Sequence, residues 1–559
     1  MAAALVLLMS AGLEPALRTA PMVRFVEVGA RMGLRFTHHT GATGRKFLPE
    51  TLGAGGAFLD IDGDGWQDVL LVNGTDWPGR PARATATAQL FRNDGTGRFV
   101  NVTKGSGLDV PMYGMGVAAA DYDNDGHTDL LITAVGQSRL FHNLGSGRFV
   151  DVTERAGLGP RTGFSTSALW FDYDRDGLLD LVIGNYVRWT PETDVFCSAD
   201  GKTKSYCTPE AYPGTTMWLF RNLGNGTFQD RTAAAGLLDP TSKALGVAMV
   251  DYDLDDWPDL FVANDTQPNK LYRNKGNGTF LESAVQAGLA FSEDGRARAG
   301  MGTDAADYDN SGLPSFIVSN FSGEMLGLYR PVAKGQYEDR APRSEVGRAS
   351  RLTLGFGCFF FDVDLDGLLD VLVVNGHIDD TMSKAQGRVS YAEPPHLFHN
   401  LGGGRLADIA PEVGTDFAAP KVGRGAAFAD VDRDGDPDVL LTTNGGPVHL
   451  YRNDLGVPHR AVRLTLRGER SNRDAIGARV RARIGPDAVT RVVRTGSSYL
   501  SQSELPLTFG LGRRTAIDEA VIEWPSGRRE SIGPLRADRT YTVTEGRGIT
   551  ADRPLGSGP

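Results

Sequence analysis

The chain reads as short apolar runs separated by turns rich in Gly, Asn and Asp, and the runs fall into phrases that recur. Leu-Phe-Arg-Asn at Leu90 returns, with small changes, at Leu140, Leu219, Leu271, Leu328, Leu397 and Leu450. A glycine-rich pair of turns follows it, as in Asn222-Leu-Gly-Asn-Gly-Thr-Phe228. Then comes a phrase like Phe-Val-Asn-Val-Thr, at Phe99, Phe149, Phe228 and Phe280, degenerate at Tyr337 and Leu406. Turns that need φ > 0 make a tight hairpin, so the two phrases are paired strands. Upstream, Gly116-Val-Ala-Ala-Ala-Asp121 and Asp129-Leu-Leu-Ile-Thr133 add two more strands to the unit. Four strands per unit and seven units predict an all-β fold, a seven-bladed β-propeller. The last unit ends at Leu450 without its fourth strand, while the chain opens on an orphan one at Phe25-Val-Glu-Val28. That strand is expected to close the ring beside Leu450 and so remove two exposed edges.

The turn between the first two strands of each unit carries carboxylates at alternate positions. The first copy holds Asp60, Asp62, Asp64 and Asp68, with Trp66 at the seventh of nine positions. The same offsets give Asp121, Asp123, Asp125, His127 and Asp129, then Asp172, Asp174, Asp176, Leu178 and Asp180, then Asp251, Asp253, Asp255, Trp257 and Asp259. Two later copies hold Asp362, Asp364, Asp366, Leu368 and Asp370, and Asp430, Asp432, Asp434, Asp436 and Asp438. The fifth copy keeps Asp307 and Asp309 but has Ser311 and Ser315 where the others have carboxylates. Ca²⁺ takes about six to eight oxygens, which side chains at positions 1, 3 and 5, the carbonyl at 7 and a ligand at 9 supply when the sixth residue permits a sharp turn. A helix-borne Glu at position twelve is missing, since Leu71 stands there inside a strand-like run, so these are calcium loops feeding strands. A single copy would read as Asx turns; seven copies with one spacing make calcium the expectation, with the fifth site weakest and Asp256 an irregular sixth residue.

The net charge of −11 comes from 69 acidic residues against 58 basic ones. Much of the excess sits at the loop positions, so it reports metal sites rather than a basic partner, and no nucleic-acid partner is expected. Cys197 and Cys207 lie in the longest insertion, residues 186–216, where a disulfide would contribute roughly 3 kcal/mol in an oxidising compartment; Cys358 reads as a small buried residue. Residues 1–22 contain an apolar run too short to span a bilayer, which needs about 20 residues. They read as a possible signal peptide lacking a basic start and a clear cleavage site, or else as a buried N-terminal segment. Weak calcium sites fill only where the ion is abundant, so an extracellular or periplasmic location is the coherent reading. No Gly-x-Ser-x-Gly elbow and no Walker loop is present. His38, His39 and His377 fall outside the repeat phrases, which leaves them between a metal or catalytic role and turn or core hydrogen bonding.

Phe36-Thr-His-His-Thr-Gly41, Leu48-Pro-Glu-Thr-Leu52, Gly184-Asn-Tyr-Val187 and Asn375-Gly-His377, with the acidic loops, resemble the FG-GAP or VCBS propeller of the cartilage acidic protein family. Arg467 to Ala478, Gly496-Ser-Ser-Tyr-Leu-Ser-Gln502, Phe509-Gly-Leu-Gly512 and Trp524-Pro-Ser-Gly527 look like the ASPIC and UnbV domain that follows it. The resemblance covers about residues 25–546. It divides the chain into a propeller at 23–455 and a second domain at 456–546, with a disordered tail expected at 547–559. Period-2 alternation in the second domain predicts a small antiparallel β-sandwich. Its outward positions (Arg479, Arg481, Arg483, Arg491, Arg494, Arg528, Arg529) read either as an anion-binding face or as a solvated strand face. The expected function is a secreted or periplasmic calcium-binding scaffold for an unknown protein or glycan partner, without catalysis. The alternative is an enzyme or enzyme subunit with a site at the propeller axis or in the 186–216 insertion. A cluster of His and Glu around an enclosed pocket would favour the enzyme, and an open, solvated channel the scaffold.

Overall fold

The computed structural model describes residues 22–53, 55–78, 86–198, 201–380 and 387–556. The expected leader, except for Met22, lies outside the described residues. In blade 1 the strands Gly56–Leu59, Asp68–Leu71, Gln89–Asn93 and Phe99–Asn101 pair antiparallel in chain order. The first two are buried throughout, whereas Phe99 alone is buried in the fourth. Burial on both faces removes any need for polar alternation near the axis, and solvent at the rim restores it. The pattern repeats behind inner strands Tyr113–Ala120, Gly163–Phe171, Ala244–Val250, Thr303–Ala306, Gly355–Phe361 and Gly423–Ala429. Blade 7 takes its outer strand from the N-terminus: Phe25–Glu27 pairs with His449–Asn453, with Phe25 opposite Asn453. The ring closes as the phase of the repeat requires.

The asparagine of the repeated Leu-Phe-Arg-Asn latches each blade to the one before it. Asn143 donates its amide hydrogens to the carbonyls of Ile61 in blade 1 and Thr128 in its own loop, both at 3.0 Å. Asn222, Asn274, Asn400 and Asn453 reach Tyr122, Tyr173, Tyr308 and Val363 in the same way, and Asn93 closes the circle on Val431 of blade 7. Blade 5 has Pro331 at this position. There the hydroxyl of Tyr337 donates to the equivalent carbonyl, that of Tyr252, at 3.1 Å.

The second domain is a sandwich of two four-stranded sheets. One orders Leu507–Gly512, Arg460–Arg467, Arg539–Thr544 and Gly548–Pro554; the other orders Asp487–Val492, Arg479–Ile484, Glu519–Glu523 and Arg529–Ile532. Two expectations are corrected. Arg460–Arg467 runs parallel to Arg539–Thr544, so the sandwich is mixed rather than antiparallel. The tail is not disordered through its length, because Gly548–Pro554 pairs with Arg539–Thr544. Its Gly/Pro-rich composition gives few side chains to bury, but a free strand edge needs only backbone to pair with.

Residues 493–506, which join the two sheets, leave the sandwich and enter the propeller axis. Ser498 exchanges backbone hydrogen bonds with Thr303 of blade 5, and Gln502 does so with Gly56 and Phe58 of blade 1. The Gln502 side chain bonds both backbone groups of Ala119 in blade 2 at 2.9 and 2.8 Å, and the Thr495 hydroxyl does the same for Trp170 in blade 3. Glu504 reaches Phe428 of blade 7, and the Tyr499 ring lies 5.0 Å from that of Phe356 in blade 6. The axis is therefore a packed protein core. An inner strand that lines an open channel would leave these backbone groups to water; the inserted segment pairs them.

Candidate functional site

In the first acidic loop Asp60 accepts the backbone N–H groups of Gly63, Asp64 and Gly65 at 2.8 to 3.2 Å, and Asp68 accepts those of Ile61 and Asn93 at 3.0 and 2.7 Å. Carboxylates at positions 1 and 9 thus fold the loop around themselves, and the fourth and sixth residues turn it in the left-handed region. Gly63 and Gly65 do so without strain, whereas Asp256 at position 6 of the fourth loop carries φ 70°. Position 3 points inward. Asp62, Asp174, Asp253 and Asp364 each keep one buried oxygen with no hydrogen-bond partner. Within the first and third loops, Asp60, Asp62 and Asp68, and Asp172, Asp174 and Asp180, bring oxygens within 4.8 Å of one another. Converging carboxylates with unpartnered oxygens fit a hard divalent cation, and these residues, with the carbonyl at position 7, would hold it.

Burial pushes the Asp68 carboxyl up to about 8, Asp129 to about 9, Asp430 to about 8, and Asp121 and Asp172 to about 7, with neighbouring carboxylates adding to the rise. Asp180, Asp259 and Asp438 are driven well above the usual range by the same causes. A bound cation would reverse this penalty. Asp436, read as a backbone ligand, instead buries its side chain in the seventh loop with one oxygen unpartnered, and burial raises it to about 11.

The residue before the latch position is Arg or His in every copy, and in blades 1 to 6 it pairs with the carboxylates of the loop, whereas Arg452 of blade 7 pairs with Asp454. Arg221 contacts Asp174 at 2.6 Å and Asp176 at 2.9 Å, and Arg273 contacts Asp253 at 2.7 Å and Asp255 at 3.1 Å. His142 and His399 sit 3.1 Å from Asp129 and Asp370. Their unfailing basicity was the signal in the sequence. The fifth loop keeps this pairing, Arg330 with Asp309, but differs at position 9, where Ser315 is buried with its hydroxyl unpartnered and Pro331 has no N–H to offer it.

The second domain stands on this loop face. Arg463 is buried between Asp430 at 3.3 Å and Glu504 at 2.6 Å; Arg479 meets Asp251 at 3.1 Å and Asp256 at 2.7 Å; Arg494 meets Asp304 at 2.7 Å. The arginine face is therefore not simply solvated, since Arg479, Arg491 and Arg494 turn toward propeller carboxylates.

The opposite face gathers the non-repeat motifs. Arg424 is fully buried and donates to the carbonyls of Thr51, Gly376, Gly423 and His377, 4.0 Å above the Phe356 ring. Around it stand His38, His377 and Glu393. The Nδ1 atoms of His38 and His377 accept backbone N–H groups of Gly445 and Asp379, which places each proton on Nε2. Burial lowers these rings to about 3 and about 4. Neutral rings with protonated Nε2 hold no metal, so that role falls away for both; His39 bonds Asp76 at 2.8 Å. Glu50 is buried, accepts the hydroxyl of Tyr206 at 3.1 Å, and lines a cleft of about 830 Å³ with Tyr391, Asn444 and Tyr451. Tyr206 is held in the long insertion, where Cys197 and Cys207 form a disulfide with Cα atoms 5.2 Å apart. Below, the Tyr499 hydroxyl bonds the Leu52 carbonyl at 2.8 Å and seals the axis. Cys358 is a buried free thiol, pushed up by burial. No described helix is long and apolar enough to cross a membrane.

Fold and loops together define a β-propeller with one acidic loop per blade and a docked β-sandwich. Residues 60–132, 124–183, 193–262, 251–318 and 362–441 match the FG-GAP-like repeat, more than half of the chain, and residues 468–550 match ASPIC and UnbV. The chain belongs to the FG-GAP-like repeat family, in the arrangement that ends in an ASPIC and UnbV domain. It is similar to cartilage acidic protein 1 of Mus musculus, 27% identical over 49% of this chain and 40% of that protein. The Xenopus tropicalis protein of the same name is 26% identical over 55% of this chain and 46% of that protein. The chain thus spans less than half the length of these relatives. Among solved structures, the BP39L lectin from Burkholderia pseudomallei aligns with TM-score 0.45 and 11% identity, over 72% of this chain and 96% of that one. YCF48 bound to D1 peptide aligns with TM-score 0.40 and 10% identity, over 73% and 95%.

Proposed function

We propose that this protein is a calcium-stabilised propeller scaffold, extracellular or periplasmic, that binds a protein or glycan partner through the insertions opposite its metal loops and performs no chemistry of its own. The observation that carries the reading is the set of unpartnered carboxylate oxygens at position 3 of the loops in blades 1, 3, 4 and 6, beside the converging carboxylates of the same loops. A site used once per blade stabilises the fold, and binding confined to the folded state adds to stability by mass action. The cartilage named in its relatives agrees with an extracellular setting, where calcium is abundant. The proposed ligands are the residues at positions 1, 3, 5, 7 and 9 of each loop, with the fifth loop the weakest. Atomic emission on protein dialysed against calcium should find about six tightly held ions per chain, and EDTA should lower Tm by on the order of 10 °C or more. An unchanged Tm would sink the calcium reading. A second reading, acid–base chemistry at the cleft beside Glu50, is favoured by one observation, a buried carboxylate with an unpartnered oxygen on its wall. If Glu50→Gln abolishes partner binding without affecting Tm, the cleft is a binding site rather than a structural corner.

A further inference from the structure

Position 7 of the acidic loops packs on a neighbouring hairpin in five blades. Trp66, His127, Leu178, Trp257 and Leu368 each lie against a glycine of the turn that follows the latch in their own blade, Gly95, Gly145, Gly224, Gly276 and Gly402. Blade 7 has no such hairpin, because its fourth strand comes from the N-terminus. No turn there asks for cover, and the seventh loop carries Asp436, 4% exposed.

The Asp436 carboxyl turns into the loop instead. Asp430, Asp432, Asp434 and Asp438 all lie close enough for their charges to act on it, and the Asp434 carboxyl shares hydrogen bonds with those of Asp432 and Asp436. Carboxylates in such contact need a shared proton or a cation among them. Asp430, 2% exposed, and Asp436 each keep one buried oxygen with no hydrogen-bond partner, which favours the cation. The basic residue that offsets the charge of other loops is also turned away. Arg92, Arg221, Arg273 and Arg330 reach carboxylates of their own loops, whereas Arg452 gives its Nε to Asp454 at 2.8 Å. Arg463 approaches Asp430 at 3.3 Å but is shared with Glu504 at 2.6 Å. The fourth loop has a fifth aspartate too, yet Asp256 is exposed and held by Arg479 at 2.7 Å. Ligand charge tunes the calcium affinity of a loop.

Resting on the calcium reading above, we propose that the seventh loop is a cation site of a second kind, in which Asp436 supplies a fifth inward carboxylate, so that it takes calcium first and holds it when the other loops are empty. Asp438 accepts the N–H of Asn453 at 2.8 Å, and Asn453 stands opposite Phe25 in the closing pair of strands. The first ion therefore settles at the seam where the ring closes.

Competition titration of the metal-free full chain with calcium, against a chromophoric chelator, tests this. One site at least about tenfold tighter than the rest is expected in the unaltered protein. Asp436→Asn keeps the shape of the side chain and should bring that site level with the others, while Asp125→Asn, in the second loop, should leave it as it was. Hydrogen exchange in Phe25–Glu27 should slow as the tight site fills, and in Asp436→Asn only as the weaker sites do. A set of equal sites in the unaltered protein, a tight site that Asp436→Asn does not weaken, or exchange in Phe25–Glu27 that follows only the weaker sites would overturn the proposal with the calcium reading intact. No calcium uptake at any concentration would sink both.

Discussion

Asn143 shows how one side chain does two jobs: its amide bridges two blades while its backbone N–H binds Asp129, the ninth residue of its own loop, at 2.7 Å. Asn143→Ala orphans two buried carbonyls and should cost about 2 to 3 kcal/mol, read by denaturant unfolding. Tyr337→Phe should cost about 1 kcal/mol in blade 5, where the hydroxyl substitutes for the amide; a neutral result would show that the Tyr252 carbonyl needs no partner. The loop carboxylates make a prediction in pH. The folded-state value of Asp68, about 8, lies above its ordinary value of 3.8, so without metal the folded state binds the extra proton. Stability from this group is then fully present below about 4 and lost as pH rises through about 8. In EDTA the Tm should fall between pH 5.5 and 8.5. With calcium present, protons compete with the ion and the slope should reverse; parallel curves in the two buffers would refute cation binding at these carboxylates.

Among the elements, the inserted segment 493–506 ties the sandwich to the inner strands of the propeller. Tyr499 is fully buried against Phe356, and Gln502 pairs two inner strands. Tyr499→Ala should destabilise the propeller by about 3 to 5 kcal/mol, as loss of a buried aromatic does. The telling measurement is hydrogen exchange in the inner strands: faster exchange at Thr303 and Gly56 is expected, and an effect confined to the sandwich would refute the inserted arrangement. The acidic loops and the latch asparagines were legible as elements because each recurs with fixed spacing. Gly496 to Gln502 was legible only as a motif. Its partners are backbone groups of inner strands, and any sequence offers those.

At the scale of the whole molecule, the two domains fold into each other. Arginines of the sandwich rest on the first carboxylates of propeller loops, and its loop fills the ring. A chain ending at residue 455 should therefore expose the axis and unfold at a markedly lower temperature than the full chain, checked by calorimetry; an unchanged Tm would show the domains to be independent. By itself the sequence determined the number of blades, the strand that closes the ring, the spacing of the loop carboxylates and the separation of Cys197 and Cys207 along the chain. Each of these is local or periodic, and a pattern repeated seven times reports its own geometry. Only the tertiary structure decided that the axis is filled rather than open, that the arginine face is turned toward the loops, and that the tail adds a strand. It alone drew His38, His377 and Glu393 around Arg424. Those outcomes depend on which surfaces meet across hundreds of residues, and the energy that selects them comes from pairing and desolvation between segments that share no pattern.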